Sequence, residues 1–260
     1  MKYDTIIVSK EKDTATVILN RPNVHNAFND TLMKELTRCF EILGSDDDLR
    51  LIILTGSGKS FCAGADINWM KSMINYSIEE NIRDSKLLLD LYEMIYSCPK
   101  PVLGRINGHV FGGGLGLLAV CDITIAFPNL KFAFSEVKLG IIPSVISTYV
   151  IRRIGPAIMR RLFITGEQFD SSYAHQIGLV DFVVSEEEID IKIQEYVELI
   201  RSSGPYAIGE VKSLVSRYEM MDIERYKDFT VKKIAELRNS AEGQEGLNAF
   251  LEKKKAKWRC

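Results

Sequence analysis

The chain has 260 residues, of which 46% are hydrophobic and 26% are charged, and its formal net charge is −2 at pH 7. These values are typical of a globular domain with a large core, and no apolar run approaches the roughly 20 residues of a membrane-spanning helix. The small net charge provides no long-range field that would attract nucleic acid. Composition therefore excludes a membrane span and gives no support for a nucleic-acid partner.

The first residues run directly into an alternating strand pattern, with neither a signal-peptide core nor an Arg- and Ser-rich transit segment. We therefore expect a cytoplasmic protein. Segments 3–9 and 14–20 alternate apolar and polar residues, which predicts an opening hairpin. Asn29 or Asp30 then caps an amphipathic helix that ends at Gly44.

Strands and helices alternate in the next part of the chain. Apolar runs at 51–54, 101–106, 123–126 and 131–134 predict short strands. The segment 68–97, between the first two of these runs, is predicted to be mostly helical. This repetition favours an α/β core.

After Pro143 the chain becomes predominantly helical, with one predicted strand at 179–184. The predicted helices cover 145–154, 157–165, 171–177, 186–201, 207–218, 222–239 and 242–255. Few of the late helices could be stable alone, so we expect them to pack on the core or on neighbouring subunits. No low-complexity linker is present, and we divide the chain into a core at 1–200 and a helical C-terminal region at 201–260.

The cysteines are odd in number, scattered, and without the spacing of a metal site or a CxxC motif. They are Cys39, Cys62, Cys98, Cys121 and Cys260. We expect reduced thiols, mostly in the core, and no metal centre.

Three consecutive glycines, Gly112 to Gly114, stand between an extended run and an apolar segment. Glycine permits positive φ and lets a ligand approach the main chain, so this pattern predicts a strand-loop-helix transition that presents free N–H groups. A second loop, 57–67, follows the strand at 51–54 in the same way. Two such donors converging on one point would form an oxyanion hole, whereas each loop alone is also compatible with a simple tight turn.

A series of short motifs occurs in a fixed order along the chain. They are Arg21-Pro22 with Asn26-Ala27, the loop 61–67, Lys100-Pro101-Val102 leading to Asn107-Gly108, the three glycines, Cys121-Asp122, 139–143 and 178–180. Together they resemble the crotonase (enoyl-CoA hydratase/isomerase) superfamily over essentially the whole chain. The resemblance implies an α/β spiral of repeated ββα units, followed by helices that form a homotrimer, usually within a hexamer that is a dimer of trimers.

The resemblance also implies a role for main-chain donors. The N–H groups of Ala65 and Gly113 would hold the thioester oxygen of an acyl-CoA, where charge builds up in an enolate. Main-chain groups of the loop containing Ala63, Asp66 and Ile67 would hold the adenine of coenzyme A. Coenzyme A is then part of the substrate, and no prosthetic group is implied.

Phe250 and Lys253 occupy positions at which family members place an aromatic residue and a lysine from an adjacent subunit against coenzyme A. Taken alone, the lysine run 253–255 also fits a solvated helix end.

Hydratases of this family usually carry two glutamates, and here the second is present as Glu136 while Gly116 occupies the first position. Glycine can neither position water nor transfer a proton, so a mechanism with two carboxylates cannot be assumed. The apolar neighbours Phe132 and Phe134 predict partial desolvation and a raised pKa for Glu136, which suits a catalytic acid/base. The alternative is a surface glutamate paired with Lys138.

Further motifs resemble bacterial hydratases of the methylglutaconyl-CoA type, which act in leucine breakdown. The matching segments are 24–28, 65–70 and 135–147. Such a substrate has a distal carboxylate that would need a cation. Lys71, Arg83 and Lys86 are candidates, and each also fits a solvated helix face.

Three functions follow from these residues. The first is reversible addition of water to a 2-enoyl-CoA, with Glu136 as the acid/base. The second is Δ3,Δ2-enoyl-CoA isomerisation, which needs a single base. The third is binding of coenzyme A without catalysis, after loss of the first glutamate.

Overall fold

The computed structural model describes residues 2–259. The predicted hairpin is confirmed as strands β1 (Ile6–Glu11) and β2 (Thr14–Leu19), which pair antiparallel. The helix α1 (Asp30–Gly44) begins where its cap was predicted, because the Asn29 side chain accepts the N–H of Leu32 at 2.9 Å.

The larger sheet has six strands in the order β1-β2-β3-β5-β7-β10. Its further strands are β3 (Leu51–Gly56), β5 (Val102–Ile106), β7 (Ile123–Ala126) and β10 (Phe182–Val183). All pairs from β2 to β10 are parallel. The predicted strand at 179–184 is correct in place, although only two of its residues pair.

A smaller sheet has the order β4-β6-β8-β9. Its strands are β4 (Ser60–Cys62), β6 (His109–Phe111), β8 (Lys131–Ala133) and β9 (Phe169–Asp170). The first three are parallel and β9 is antiparallel to β8. Each consecutive pair from β3 to β8 therefore gives one strand to each sheet, which confirms the predicted α/β spiral.

The prediction that segment 68–97 is mostly helical is confirmed, but the segment does not form one continuous helix. Two helices form instead, α2 (Ile67–Met73) and α3 (Ile78–Tyr96). The break is stabilised by Ser77, whose side chain accepts the N–H of Glu80 while the Glu80 carboxylate accepts the N–H of Ser77. This capping box starts a second helix within the predicted helical segment.

The middle of the chain follows the predicted order. The glycine stretch leads into the short helix α4 (Gly114–Ala119). Next come α5 (Ser147–Thr165) and α6 (Ser171–Gln176). At Gly155 the backbone of α5 leaves helical geometry, with φ 71° and ψ 165°, so α5 consists of the two helices predicted on either side of this residue.

The C-terminal part is helical as predicted. It comprises α7 (Ile189–Arg201), α8 (Pro205–Met220), α9 (Ile223–Asn239) and α10 (Ala241–Leu251). The helix α10 ends before the lysine run, earlier than the predicted 255. Neither α8 nor α9 carries a buried residue, which sets them apart from the core helices.

The main core fills the space between the sheets and the helices of the first 180 residues, and a smaller cluster lies between the larger sheet and α7. Cys39, Cys62, Cys98 and Cys121 are buried free thiols, as predicted, whereas Cys260 lies outside the described residues. Within residues 2–259, no helix is long and apolar enough to cross a membrane.

Asn26 joins three segments next to the first glycine-containing loop. The residue is fully buried, with a left-handed φ of 56°. Its side chain accepts the N–H of Arg21 at 2.8 Å and donates to the carbonyls of Ser57 and Ser60 at 2.9 and 2.8 Å. It thereby fixes the first part of this loop to the segment that contains Arg21.

Replacing Asn26 by alanine should therefore destabilise the fold by about 3 kcal/mol, because it leaves buried backbone groups unpaired. The matched control is Asn129→Ala. Asn129 is exposed with a similar φ of 60°, so its replacement should cost only the left-handed backbone penalty of about 1 kcal/mol. Urea denaturation measures both variants, and equal destabilisation would contradict the role assigned to the Asn26 side chain.

Candidate active site

Three loops meet at one edge of the smaller sheet. The strands β4, β6 and β8 are parallel neighbours, so their carboxyl ends lie side by side. The residues that follow these ends are Ala65, Gly113 and Glu136. Parallel sheets commonly bind ligands at this edge. The topology thus brings together the residues that the sequence singled out as donors and acid/base.

The first two loops touch through their backbones. A Cβ atom on Gly64 would lie 3.0 Å from the carbonyl oxygen of Phe111 and 3.5 Å from the nitrogen of Gly113. Phe28 secures the first loop, because its N–H donates to the Gly64 carbonyl at 2.7 Å and its carbonyl accepts the N–H of Asp66 at 2.9 Å. This pairing leaves the intervening Ala65 N–H pointing away from Phe28.

Ala65 and Gly113 are both partly exposed. Among the protein acceptors of residues 2–259, neither N–H has a hydrogen-bond partner. The neighbouring N–H groups of Ala63 and Gly112 instead donate to the carbonyls of His25 and Ala133, each at 3.0 Å. Two accessible, unused donors therefore lie on loops that contact each other.

Glu136 places its carboxyl group against the glycine loop. A Cβ on Gly112 would lie 3.1 Å from Oε1 of Glu136, and Gly112 has a positive φ of 50°. The Oε2 atom is buried and has no hydrogen-bond partner in the described part of the chain. Gly112 therefore allows the close approach of a carboxylate that the protein leaves partly unpaired.

Burial raises the pKa of Glu136, and a hydrogen bond from its own backbone N–H opposes this only in part. Among residues 2–259, the buried Oε2 atom of Glu136 has no hydrogen-bond partner, while Lys138 is exposed. The alternative of a surface ion pair is therefore wrong, and the predicted rise in pKa is confirmed. A carboxyl with a raised pKa exchanges protons closer to neutral pH than an ordinary glutamate does.

The space beside Gly116 is filled by other side chains. A Cβ at this position would lie 2.5 Å from Cγ2 of Ile146, 2.6 Å from Cζ of Tyr92 and 2.8 Å from its hydroxyl oxygen. The ring of Tyr92 is fully buried. A second carboxylate therefore has no room at residue 116. Sequence reasoning missed Tyr92, which resembles an ordinary core aromatic on a helix.

Asp66 is engaged within the protein. Its carboxylate pairs with the Arg21 guanidinium at 2.7 Å and accepts the N–H of Asn68 at 2.8 Å. Burial alone would raise the pKa of Asp66, but the hydrogen bonds from Arg21 and from the backbone lower it. The side chain of Asp66 thus anchors the loop, and its N–H and carbonyl are also bonded within the protein, to the Phe28 carbonyl and the Met70 N–H.

The other residues predicted to contact coenzyme A are exposed. The exposed fraction is 70% for Ile67 and 81% for Phe250, and Lys253 is also exposed. Lys253 has a left-handed φ of 56° just beyond α10. The side chains of Ile67, Phe250 and Lys253 are therefore available for contacts with a ligand. Ala63 is only partly exposed.

The candidate cations for a distal carboxylate lie on solvated helix surfaces. Lys71 and Arg83 are exposed, and Lys86 pairs with Asp90 at 2.8 Å. Trp69 is buried nearby and donates to the Asp84 carboxylate at 3.0 Å. The described residues therefore offer no buried cation on these helices.

The histidines have structural partners. Nδ1 of His25 lies 3.0 Å from the Ser60 hydroxyl, Nδ1 of His109 accepts the N–H of Lys131 at 3.1 Å, and Nδ1 of His175 lies 3.1 Å from the Val180 carbonyl. Over residues 2–259, no group of three His, Cys, Asp or Glu side chains is arranged to hold a metal ion.

Comparison with known proteins gives matches along nearly the whole chain. A family model described as Enoyl-CoA hydratase/isomerase matches residues 9–260. The chain is 34% identical to a crotonyl-CoA hydratase of Syntrophomonas wolfei, with 98% of each chain covered. It is 30% identical to the 1,2-epoxyphenylacetyl-CoA isomerase of Escherichia coli, with 96% of each covered. The crystal structure of an enoyl-CoA hydratase from Shewanella pealeana has a TM-score of 0.95 at 34% identity, covering 99% of this chain and 97% of that one.

The tight packing at Gly116 predicts a measurable cost for a single methyl group. Gly116→Ala should destabilise the protein by about 1–3 kcal/mol, because the buried Tyr92 ring must move. Gly44→Ala is the control, since Gly44 also lies in a helix but its Cβ would contact neighbours at an ordinary 3.4 Å. Chemical denaturation should show Gly44→Ala within about 1 kcal/mol of the parent. A Gly116→Ala variant as stable as the parent would show that the site can hold a larger side chain.

The raised pKa of Glu136 predicts a pH-dependent stability. In the unfolded chain this carboxyl ionises near its ordinary pKa of about 4.3, whereas in the folded chain it ionises only at higher pH. The parent therefore loses stability as the pH rises from the pKa of the unfolded state to that of the folded state. Glu136→Gln removes the cost of the buried charge. Its melting temperature should exceed that of the parent at pH 8, and the difference should shrink towards pH 5.

The control for this experiment is Glu210→Gln. Glu210 is similarly shielded, with a side chain 17% exposed, but it pairs with Lys233 at 3.0 Å. Removing its charge should therefore leave the melting temperature unchanged or lower it at pH 8. A Glu136→Gln variant that gains no stability between pH 5 and pH 8 would contradict the raised pKa.

Proposed function

The chain belongs to the enoyl-CoA hydratase/isomerase family, and on this premise we propose that it adds water reversibly to the α,β double bond of a 2-enoyl-CoA thioester. The observation that carries the proposal is the meeting of the partly unpaired Glu136 carboxyl with two loops that offer unused N–H donors. Full-length similarity to a crotonyl-CoA hydratase supports the same reaction.

In the proposed reaction the N–H groups of Ala65 and Gly113 bind the thioester oxygen. Addition of water to the β-carbon moves electron density onto this oxygen and produces an enolate. Donors already in place stabilise that charge without reorganisation, and the loss of one such donor typically lowers the rate by roughly 100-fold to 1000-fold. The backbone geometry around Gly64 and Gly112 thus places the two N–H groups where they stabilise the transition state more than the bound substrate.

Glu136 performs both proton transfers in this scheme. Its carboxylate accepts a proton from water as the water oxygen bonds to the β-carbon, and the resulting carboxylic acid gives a proton to the α-carbon of the enolate. One water molecule is consumed, and Glu136 returns to its starting state. The raised pKa of Glu136 favours this cycle, because the protonated form is accessible closer to neutral pH.

Coenzyme A is the carrier part of the substrate in this proposal. Main-chain groups of the loop containing Ala63, Asp66 and Ile67 hold the adenine, and Phe250 and Lys253 of an adjacent subunit contact the same ligand. The high exposure of Phe250 and Ile67 is compatible with such contacts.

We infer a homotrimer, or a hexamer built from two trimers, as the assembled form. The helices α8 and α9 lack buried residues and expose apolar side chains such as Val215 and Val231, at 62% and 69%. Burying these side chains between subunits would remove an unfavourable apolar surface from water. Light scattering, which gives the particle mass, tests this assembly.

The acyl group is the least constrained part of the proposal. We include 3-methylglutaconyl-CoA among the candidate substrates because of the motif resemblance in segments 24–28, 65–70 and 135–147. Its distal carboxylate would have to bind at the exposed Lys71 or Arg83, or at a position supplied by another subunit. The buried Trp69 is compatible with an apolar wall for the acyl group.

Isomerisation of a 3-enoyl-CoA is the second candidate. A single carboxyl can move a proton between the two ends of a dienolate, and Glu136 lies against the glycine loop whereas the carboxylate of Asp66 is paired with Arg21. The similarity to an isomerase of a CoA thioester is compatible with this reaction.

Three substrates separate the candidates. Purified protein is incubated with crotonyl-CoA, 3-methylglutaconyl-CoA or a 3-enoyl-CoA, and the absorbance of the conjugated enoyl thioester is followed. Loss of absorbance with a 2-enoyl substrate is the expected result. A gain with the 3-enoyl substrate alone would establish the isomerase, and no change with any of them would leave coenzyme A binding without catalysis.

The same assay measures the role of Glu136. Glu136→Gln should lower kcat by roughly 100-fold or more, because one group carries both proton transfers. The control Glu210→Gln, a change of the same chemistry on α8, should retain the activity of the parent. If Glu136→Gln retained that activity as well, the acid/base assignment would be overturned.

A further inference from the structure

Tyr92 makes a hydrogen bond into the glycine loop. Its hydroxyl donates to the Gly113 carbonyl at 2.7 Å, and the N–H of Gly116 donates to the same carbonyl at 2.9 Å. Among the described residues, the Tyr92 hydroxyl provides the one side-chain hydrogen bond to Gly112, Gly113 or Gly114. The loop has no side chains of its own through which it could be held.

Three consecutive glycines have unusually large backbone freedom, so their geometry depends on external restraints. Gly113 sits at the start of α4 with φ −53° and ψ −25°. Its carbonyl and its N–H are joined through a single Cα. A restraint on the carbonyl therefore limits the rotation that would turn the Gly113 N–H away from its ligand.

Tyr92 is itself rigid and stays protonated. Its ring lies edge-on against Phe28 and Tyr149, with centroids 6.3 and 5.9 Å away. Burial, with smaller effects of Cys62, Glu136 and Tyr149, raises the pKa of the Tyr92 phenol well above its ordinary value. The phenol thus remains a hydrogen-bond donor throughout the working pH range.

We propose that Tyr92 is a positioning residue, which fills the space beside Gly116 with its ring and holds the Gly113 donor in place through its hydroxyl. This inference rests on the proposed function, since it deepens the role of the Gly113 N–H. The neutral Tyr92 phenol thus occupies the space that a carboxylate on residue 116 would need, and it restrains the Gly113 N–H donor. Tyr92 is fully buried and acts through Gly113 rather than by touching substrate.

The test compares Tyr92→Phe with Tyr149→Phe. Both variants keep the aromatic ring and lose one hydroxyl hydrogen bond, since the Tyr149 hydroxyl donates to the Glu93 carboxylate at 2.9 Å. Their melting temperatures should therefore fall by similar amounts. Only Tyr92→Phe should lower kcat with crotonyl-CoA, by roughly 10-fold as for one lost hydrogen bond, with KM changed less than about twofold.

A second measurement does not require turnover. A 3-oxoacyl-CoA ionises to an enolate with its own ultraviolet absorbance, while a saturated acyl-CoA carries no such charge. Tyr92→Phe should weaken binding of the enolate by roughly 10-fold and leave binding of the saturated thioester unchanged. Tyr149→Phe should bind both ligands as the parent does.

The outcomes separate the two proposals. A parent protein that binds the enolate but hydrates neither 2-enoyl-CoA would refute the hydratase alone, and the enolate affinities would still decide the role of Tyr92. Equal kcat and equal enolate affinity in parent and Tyr92→Phe would overturn the positioning role, as would a parent that binds no enolate. Equal losses in both phenylalanine variants would identify a general packing effect and would also overturn it.

Discussion

The parallel pairing of β4, β6 and β8 is the constraint on which the site depends. The three strands are only three residues long, yet a residue of the candidate site follows within about three positions of the end of each. Ala65, Gly113 and Glu136 are far apart in the chain, and only the common direction of these strands delivers them to one edge. The glycines then allow the approach, because Gly64 brings two backbones together and Gly112 admits the Glu136 carboxyl. Small errors in this pairing would separate all three groups at once.

Two carboxylates near this edge have opposite surroundings. Asp66 has Arg21 and the backbone as partners, which lower its pKa and keep it charged. Glu136 has a buried oxygen without a partner and a raised pKa. Leaving a carboxyl in that condition lowers stability, and protein sites that accept such a cost are frequently the sites of proton transfer. Because residue 116 is glycine and carries no carboxylate, the proposed proton transfers depend on Glu136 alone.

The sequence predicted the loops of the candidate site from local signals. Consecutive glycines, an N-cap at Asn29 and apolar runs such as 51–54 are patterns that a few adjacent residues define. Three-residue strands such as β4 and β6 carry too little periodicity to be recognised, so the surface on which the loops converge could not be predicted. The break between α2 and α3 was missed although Ser77 and Glu80 have the spacing of a capping box.

Tyr92 marks the limit of such reasoning. On its own helix it is one apolar residue among others, and its hydroxyl partner lies 21 residues away. The sequence indicates that Gly116 removes a side chain, but only packing shows which side chain takes the space. Contacts between distant segments leave no local pattern, which is why both the ring beside Gly116 and the unpaired oxygen of Glu136 emerge from the structure alone.

The proposed oxyanion donors belong to the main chain, and this has a consequence for how the protein tolerates variation. Every amino acid except proline carries a backbone N–H. An alanine scan would therefore leave residue 65 unchanged, since it is already alanine, and at Gly113 it would detect only the steric effect of an added methyl group. The groups closest to the developing charge would then be the ones that such a screen ranks lowest. Natural drift in residue identity at position 65 can likewise proceed without loss of the donor, provided that the backbone keeps its path.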